Sequence, residues 1–285
     1  MKKFTEKVWE TVKKVVIDFA LTFFSVFDWR NDGFSCAEKN ENKALYRWLL
    51  FAAIVSGAFL RIFIFYREPQ LGRDAIYYLN MSEIWSKNSF AYLLEYKRGF
   101  YIPPVMLGFI QFFIRLGCSP LTAGVILNLL AGTLMIPIFY LIGKYLFDSR
   151  KAGATAAFLA SFNPVLVDYS ANIMRENFML LFMALALLFI ILGFRKKDIC
   201  FTLGGFFTAW AFMSRYEALE ILPLMLLTFA FFAICRIFPW KKLFIDGIWF
   251  LAGIIIGVVF IMLIFGVPIE FLTEPFYAKI DGTLL

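Results

Sequence analysis

The stretch IPPVMLGFIQFFIRLG, residues 102 to 117, decides how this chain is threaded through a membrane. It is strongly apolar, yet it has only 16 residues and opens with Pro103 and Pro104. Its two polar residues, Gln111 and Arg115, lie four apart and would share one face of a helix. Because a helix needs about 20 residues to cross the hydrocarbon, the stretch fits either a short span or a helix at the interface.

The rest of the sequence is typical of an integral membrane protein. Hydrophobic residues make up 61% of the 285 residues and charged residues only 17%, whereas soluble domains are about half apolar. The apolar runs predict an all-α membrane protein with about seven transmembrane helices. These predicted spans are 45–66, 121–143, 152–168, 177–194, 199–214, 218–235 and 243–265.

The positive-inside rule chooses between the two membrane topologies. If residues 102–117 do not cross the membrane, three basic clusters lie in cytosolic loops. If residues 102–117 cross the membrane, all three clusters lie outside. The clusters are Lys144, Arg150 and Lys151, then Arg195, Lys196 and Lys197, then Arg236, Lys241 and Lys242. The rule therefore predicts a cytosolic N-terminus and one large first extracytosolic loop, residues 67–120, which carries juxtamembrane helices.

Two domains follow from this threading. Residues 1–44 are predicted to form a cytosolic amphipathic helix and a linker, because apolar residues there recur every three or four positions between lysines and glutamates. Residues 45–285 form the transmembrane domain. The net charge of +7 lies mostly in the N-terminal arm and the cytosolic loops, so it indicates contact with membrane lipid and not with nucleic acid.

The composition also narrows the chemistry. The chain has no histidine, which excludes Ser-His, Cys-His and His-ligated metal chemistry. The four cysteines have no spacing typical of a disulfide framework or of a zinc site. They are Cys36, Cys118, Cys200 and Cys235. A reaction here would use carboxylates, arginine, lysine or tyrosine.

Charged residues that no basic loop explains collect on the predicted outer side. A charge at the bilayer centre costs about 2.5–3.5 kcal/mol on insertion scales, so such residues usually line a cavity or pair with one another. The residues are Arg73, Asp74, Arg175, Glu176, Arg215, Glu217 and Glu220. Their convergence predicts a site at the outer membrane surface.

The order of several segments resembles the GT-C superfamily of glycosyltransferases, in particular the branch that contains the protein O-mannosyltransferases and the lipid A aminoarabinose transferase. The resemblance covers about residues 45–235. It rests on FLRIF (59–63), RDAIYYLNMSEIW (73–85), YIPPVMLGFIQFF (101–113) and the segments 140–180 and 205–223. Relatives commonly run well past seven spans or add a soluble domain, so a minimal or partner-dependent module is also expected.

This resemblance implies an inverting transfer from a polyprenyl-phosphate-linked sugar to a lipid, glycan or protein acceptor, on the extracytosolic face of the cell membrane. The family's catalytic base falls on Asp74, although the chain has Ala75 where a second acid is frequent. The acid of the second outer loop falls on Glu176, and the basic residue that opens the sixth helix falls on Arg215. The further candidate substrate contacts are Arg73, Tyr77 and Glu217.

The chemistry of these residues agrees with the resemblance. A sugar on a lipid phosphate already has a good leaving group, so one carboxylate, that of Asp74, suffices as general base. The guanidinium of Arg215 matches phosphate oxygens with two parallel hydrogen bonds.

Each assignment has an alternative. Asp74 could cap a helix. Glu176 could be only a first-turn acid that the helix dipole stabilises. Arg215 could only pair with Glu217 or Glu220. A divalent cation could bridge Asp74 and Glu176. The sequence itself establishes no cofactor. Tyr77 could belong to an aromatic belt. Arg61 is expected to extend to the outer surface. The alternative function is a non-catalytic protein that binds or moves a polyprenyl lipid.

The threading predicts which positions react with a membrane-impermeant maleimide. In a variant without the native cysteines, a cysteine at position 150 or 196 should be labelled only after the membrane is opened. A cysteine at Lys87, in the first outer loop, should be labelled in intact cells and serves as the control. Labelling of position 150 or 196 in intact cells would invert the threading.

Overall fold

The computed structural model describes residues 42–67, 71–96, 103–195 and 198–272. The described chain consists of α-helices, two short 3-10 helices and connecting turns, and it has no strand. The protein is an all-α membrane protein. Almost all of the predicted N-terminal amphipathic helix and linker lies outside the described residues.

The helices follow one another closely along the chain. They are α1 Lys43–Arg67, α2 Arg73–Lys87, α3 Phe90–Tyr96, α4 Pro104–Arg115, α5 Pro120–Phe147, α6 Arg150–Phe162, α7 Pro164–Ala171, α8 Arg175–Arg195, α9 Ile199–Ser214, α10 Ile221–Ile234 and α11 Trp240–Phe265. The 3-10 helices are Tyr216–Glu220 and Ile269–Leu272.

Five helical segments of the described chain are long and apolar enough to cross a membrane. They are α1, α5, α8, the 3-10 helix with α10, and α11. Helix α9 is apolar but has only 16 residues, and α4 has 12, so α4 is about 18 Å long. That is shorter than the ~30 Å hydrocarbon core. The count of seven spans stays a prediction.

The predicted span at residues 152–168 is not one continuous helix, because the helix there is broken. Helix α6 ends at Phe162, and α7 starts again at Pro164. Pro164 has no N–H to donate to the carbonyl of Ala160. The N–H of Val165 donates to Asn163 Oδ1 (3.0 Å). Two carbonyls at the end of α6, those of Ala160 and Ser161, therefore lose their partners within the helix.

Arg61 of α1 supplies the missing donors. Its Nη2 donates to the carbonyl of Ala160 (3.1 Å), and its Nη1 donates to the carbonyl of Ser161 (3.2 Å). Its Nε donates to Ser170 Oγ in α7 (3.2 Å). The expectation that Arg61 extends to the surface is wrong, since the side chain is 0% exposed. Helices α1, α6 and α7 are joined at this one guanidinium.

Small residues allow the helices to pack closely, as in other membrane bundles. A Cβ atom on Gly205 of α9 would overlap the carbonyl oxygen of Phe250 in α11, and a Cβ on Gly253 of α11 would overlap that of Thr202. The backbones of α9 and α11 therefore touch directly. Helix α9 also packs against α8, so α8, α9 and α11 form one layer of the bundle.

Ionic contacts join the helix ends at one end of the bundle, which we call the basic end. Arg195, the last residue of α8, donates to the carbonyl of Leu146 (3.2 Å) and lies 3.7 Å from Asp148. Lys242 of α11 lies 3.1 Å from Asp198, the residue before α9. We call the opposite end, where α8 begins and α9 ends, the site end.

Helices α2 and α4 lie at the site end. Phe265, the last residue of α11, has ring contacts with Trp85 of α2, Phe109 of α4 and Trp210 of α9, with centroids 5.8–6.2 Å apart. Arg115 at the end of α4 donates to the carbonyl of Ser86 in α2 (3.2 Å). The two short helices thus cover the end of the bundle.

We expect that Arg61→Leu lowers the free energy of unfolding by roughly 3 kcal/mol, because two buried carbonyls lose their donors. Thermal unfolding in detergent would measure this, with Arg67→Leu at the exposed end of α1 as the control. Pro164→Ala restores an N–H beside these carbonyls. The double variant should therefore lose less stability than Arg61→Leu and Pro164→Ala together, and a strictly additive result would contradict this role of Arg61.

Candidate active site

Asp74 lies in the first turn of α2, exposed to solvent at the site end. The N-cap of this helix is Gly72, and no side chain makes a capping hydrogen bond there. The alternative that Asp74 serves as the helix cap is therefore wrong. Its carboxylate is left available to a ligand, in a position where the helix dipole favours a negative charge.

Glu176 and Arg215, which are 39 residues apart in sequence, form an ion pair at the same end. Glu176 lies in the first turn of α8, and Arg215 directly follows α9. Arg215 Nε also lies 3.0 Å from Glu217 Oε2. The predicted pairing of Arg215 with Glu217 is therefore confirmed, and the role of Arg215 in substrate binding stays a prediction. The side chains of Arg215 and Glu176 keep 26% and 21% of their surface exposed, so a ligand can reach the pair.

Tyr78 is a buried tyrosine of α2. It follows Asp74 by four residues, on the same face of α2, and only 5% of it is exposed. Burial raises the pKa of Tyr78 to about 12. The charges of Arg175, Asp74, Glu176 and Arg215 all act on its hydroxyl group as well. These four charged groups are therefore near enough to Tyr78 to influence its ionisation.

A cavity of about 340 Å³ opens beside Asp74. One wall is the start of α2, and the other is the end of α7 with the turn that follows it. The lining residues are Gly72, Arg73, Asp74, Ala75, Asp168, Asn172, Ile173 and Met174. Asn172 Nδ2 donates to Asp168 Oδ1 (3.0 Å). The cavity thus has a carboxylate on each wall.

Sequence reasoning missed Asp168, Asn172 and Tyr78. Asp168 lies inside a segment predicted to be a single span, which hid it from the search for charges outside the membrane. The Asn-Pro pair at residues 163–164 was the signal that could have found it, because Pro ends a helix. Tyr78 differs from the predicted Tyr77 by one position, which is a rotation of about 100° around the helix.

The other predicted contacts lie near these residues. Arg73 is exposed and lines the cavity. Tyr77 is half-buried, and its hydroxyl oxygen is enclosed by protein. Its ring contacts that of Tyr78 edge to face, with centroids 5.9 Å apart. The assignment of Arg73, Tyr77 and Glu217 to substrate binding stays a prediction.

A divalent cation also stays a prediction. Within the four described ranges, no three His, Cys, Asp or Glu side chains are grouped so that they could hold a metal ion. Asp74 and Glu176 would give a site with two carboxylates, and Glu176 is already engaged by Arg215. A cation bound there would compete with the guanidinium.

A family model provides independent information about this arrangement. The model of the dolichyl-phosphate-mannose-protein mannosyltransferases matches residues 102–266, which is more than half of the chain. The chain belongs to this family. Membership indicates a glycosyltransferase of the GT-C type. The matched segment contains Glu176, Arg215 and Glu217, whereas Asp74 precedes it. Searches of curated proteins and of solved structures found no significant match.

The Glu176–Arg215 pair should contribute to stability as a unit. In a double-mutant cycle with Glu176→Gln and Arg215→Gln, we expect a coupling energy on the order of 1 kcal/mol, because the pair is only partly exposed. Lys87 and Glu83, an exposed pair 2.7 Å apart on α2, form the control cycle, with an expected coupling of about 0.3–0.5 kcal/mol. Equal coupling energies in chemical unfolding would contradict the proximity of Glu176 and Arg215.

Proposed function

We propose that the protein transfers a sugar from a polyprenyl-phosphate donor to an acceptor at the extracytosolic face of the cell membrane, with inversion at the anomeric carbon. The observation that carries the proposal is that Asp74 lines a cavity together with Ile173 and Met174, directly before α8, whose first turn carries Glu176 in an ion pair with Arg215. A carboxylate and a cation are thus held at the same end of the bundle. A transfer from a lipid phosphate needs both.

Asp74 acts as the general base. As the acceptor oxygen bonds to the anomeric carbon, the Asp74 carboxylate takes the acceptor's proton, and the bond from that carbon to the phosphate oxygen breaks. The electron pair stays on the phosphate, which leaves as polyprenyl phosphate. Such proton transfer contributes typically 10²–10⁴ in rate. No general acid is needed, because the phosphate is a good leaving group.

Arg215 holds the phosphate. A guanidinium has five N–H groups, so it can share its contacts between a phosphate and the carboxylates of Glu176 and Glu217. These carboxylates fix the side chain in place before substrate arrives. A preorganised cation stabilises the charge that grows on the leaving phosphate better than a mobile one does.

The cavity beside Asp74 suits the acceptor. Its polar wall consists of Asp168 and Asn172. Asn172 Nδ2 donates to Asp168 Oδ1, and the second carboxylate oxygen of Asp168 has no part in that hydrogen bond. Carboxylate and amide oxygens accept hydrogen bonds from hydroxyl or amino groups. The acceptor is thus proposed to present several such donors.

A second cavity suits the lipid chain. It has a volume of about 530 Å³, is lined almost wholly by apolar side chains of α5, α8 and α10, and extends from Arg195 to Ile221. Ile221 follows Arg215 by six residues. A polyprenyl chain in this groove would bring its phosphate to the site end, where Arg215 lies.

The test is transfer by the purified protein from polyprenyl-phosphate mannose to added acceptors. Asp74→Asn keeps the size of the side chain but removes the base, so kcat should fall by about 10²–10⁴-fold while lipid binding persists. Glu83→Gln changes an acid on the same helix that pairs with Lys87; it is the matched control and should keep full activity.

The outcomes separate the proposal from the alternative of a lipid-binding protein. Normal transfer by Asp74→Asn would show that the base is misassigned. Wild-type protein that binds the polyprenyl lipid and never turns it over would favour the non-catalytic alternative.

A further inference from the structure

We propose that Asn128 of α5 is a positioning residue for the candidate site, because it holds the turn between α7 and α8 at a fixed distance from α2. This inference rests on the proposed function, since that turn forms one wall of the cavity assigned to the acceptor. It goes further by naming a residue that acts on the acceptor through Met174. Three features of the structure support it.

The first feature is a buried amide in an apolar helix. Asn128 lies in the run VILNLLAG, residues 125–132, and is 1% exposed. Burial of an amide is costly unless its polar atoms are hydrogen-bonded. Its Nδ2 donates to the carbonyl of Gly124 (3.0 Å), and its Oδ1 accepts from the N–H of Met174 (3.3 Å). The first bond fixes the orientation of the amide, and the second joins α5 to the turn before α8.

The second feature is that α5 holds this turn at two points. Met174, which lines the cavity, directly precedes α8. Asn177, in the first turn of α8, donates through Nδ2 to the backbone carbonyl of Asn128 (2.7 Å). Every residue at position 128 would have that carbonyl, whereas only a suitable side chain can accept from Met174. The side chain of Asn128 therefore fixes the cavity wall, and its backbone fixes the start of α8.

The third feature is that the same part of α5 supports the opposite wall. Gly124 lies one turn before Asn128, and a Cβ atom there would lie 2.9 Å from Leu79 Cδ2 and 3.0 Å from Ile173 Cδ1. Leu79 belongs to α2, the helix that carries Asp74, and Ile173 lines the cavity. Both walls thus rest on one turn of α5. The hydrogen bond from Met174 to Asn128 sets the spacing between them.

This spacing matters for the proposed transfer. The acceptor oxygen has to meet the Asp74 carboxylate in a reactive geometry, and a misplacement of about 1 Å can cost about 10²-fold in rate. Without the amide of Asn128, the N–H of Met174 loses its partner, and the wall is no longer fixed at that point. The start of α8 keeps its own bond to the backbone of α5. The effect should therefore fall on the acceptor and leave the phosphate contacts of Arg215 in place.

The kinetic experiment compares Asn128→Leu with the wild type. Leu has a similar size and cannot accept from Met174, so kcat/KM for the acceptor should fall about 10–100-fold. The acceptor probe is a serine peptide or methyl mannoside, whichever the wild type glycosylates. The Kd of polyprenyl monophosphate should change less than about twofold, because the first turn of α8 keeps its bond to α5.

Two further variants separate positioning from general damage. Asn128→Asp keeps an oxygen for the N–H of Met174, and a protonated carboxyl group can donate to Gly124, so it should recover most of the lost kcat/KM. Thr208→Val is the matched control. It removes a buried hydroxyl whose hydrogen bond to the carbonyl of Gly204 (2.9 Å) lies within α9, and its kcat/KM should match that of the wild type.

A structural measurement that needs no turnover accompanies the kinetics. In a variant without the native cysteines, spin labels on Gly72→Cys and Asp168→Cys stand on the two walls of the cavity. A Cβ atom at Gly72 would meet no atom of the described residues within 4 Å, and Asp168 is exposed. Electron paramagnetic resonance should give a narrow distribution of distances between the labels. Asn128→Leu should broaden this distribution, and Thr208→Val should not.

The results separate failure of this inference from failure of the proposed function. If the wild type transfers no sugar, the proposed function fails, and the label distances still decide the role of Asn128. An unchanged distance distribution in Asn128→Leu would overturn that role, and so would an equal loss of acceptor and lipid affinity. Asn128→Ala replaces Asn128→Leu if the larger side chain prevents folding. If neither variant folds, the inference is overturned, because Asn128 would then support the fold as a whole.

Discussion

The hydrogen bonds of one buried guanidinium hold the break between α6 and α7 open. Arg61 replaces two backbone donors that the sequence around Pro164 cannot provide. Without a donor, each of these carbonyls would remain unsatisfied in an apolar environment, at a cost of about 1–3 kcal/mol. The break matters for the site because α7 ends beside α2. Asp168 and Asn172 reach the cavity as a result of it.

The charges at the site end are arranged as mutually compensating groups. Arg215 lies between Glu176 and Glu217, which reduces the cost of placing each of them near the membrane. The aromatic rings of Phe109, Trp210 and Phe265 contact one another at the same end of the bundle.

The candidate site contains charged groups of two kinds, each with a separate task in the proposed transfer. The carboxylate of Asp74 takes a proton, and the guanidinium of Arg215 binds a phosphate. Both are carried by helix ends of the bundle. Residues at helix ends can approach a water-soluble acceptor while a lipid chain stays among the helices.

The sequence by itself determined the class of the protein and indicated its family, and it singled out three candidate site residues. Composition and apolar runs are sufficient for an all-α membrane protein, because only helices satisfy the backbone of such a chain in lipid. Asp74, Glu176 and Arg215 stood out because charges near spans are costly and rare.

Only the tertiary structure decided which groups face one another. Arg61 was expected at the surface, and its buried position depends on carbonyls about 100 residues away. Asp168 was hidden within a predicted span. Tyr78 and its neighbour Tyr77 have the same side chain, and only the packing of α2 on the bundle buries one of them more deeply than the other. Contacts between residues distant in sequence cannot be read from local patterns, since helix packing sets them.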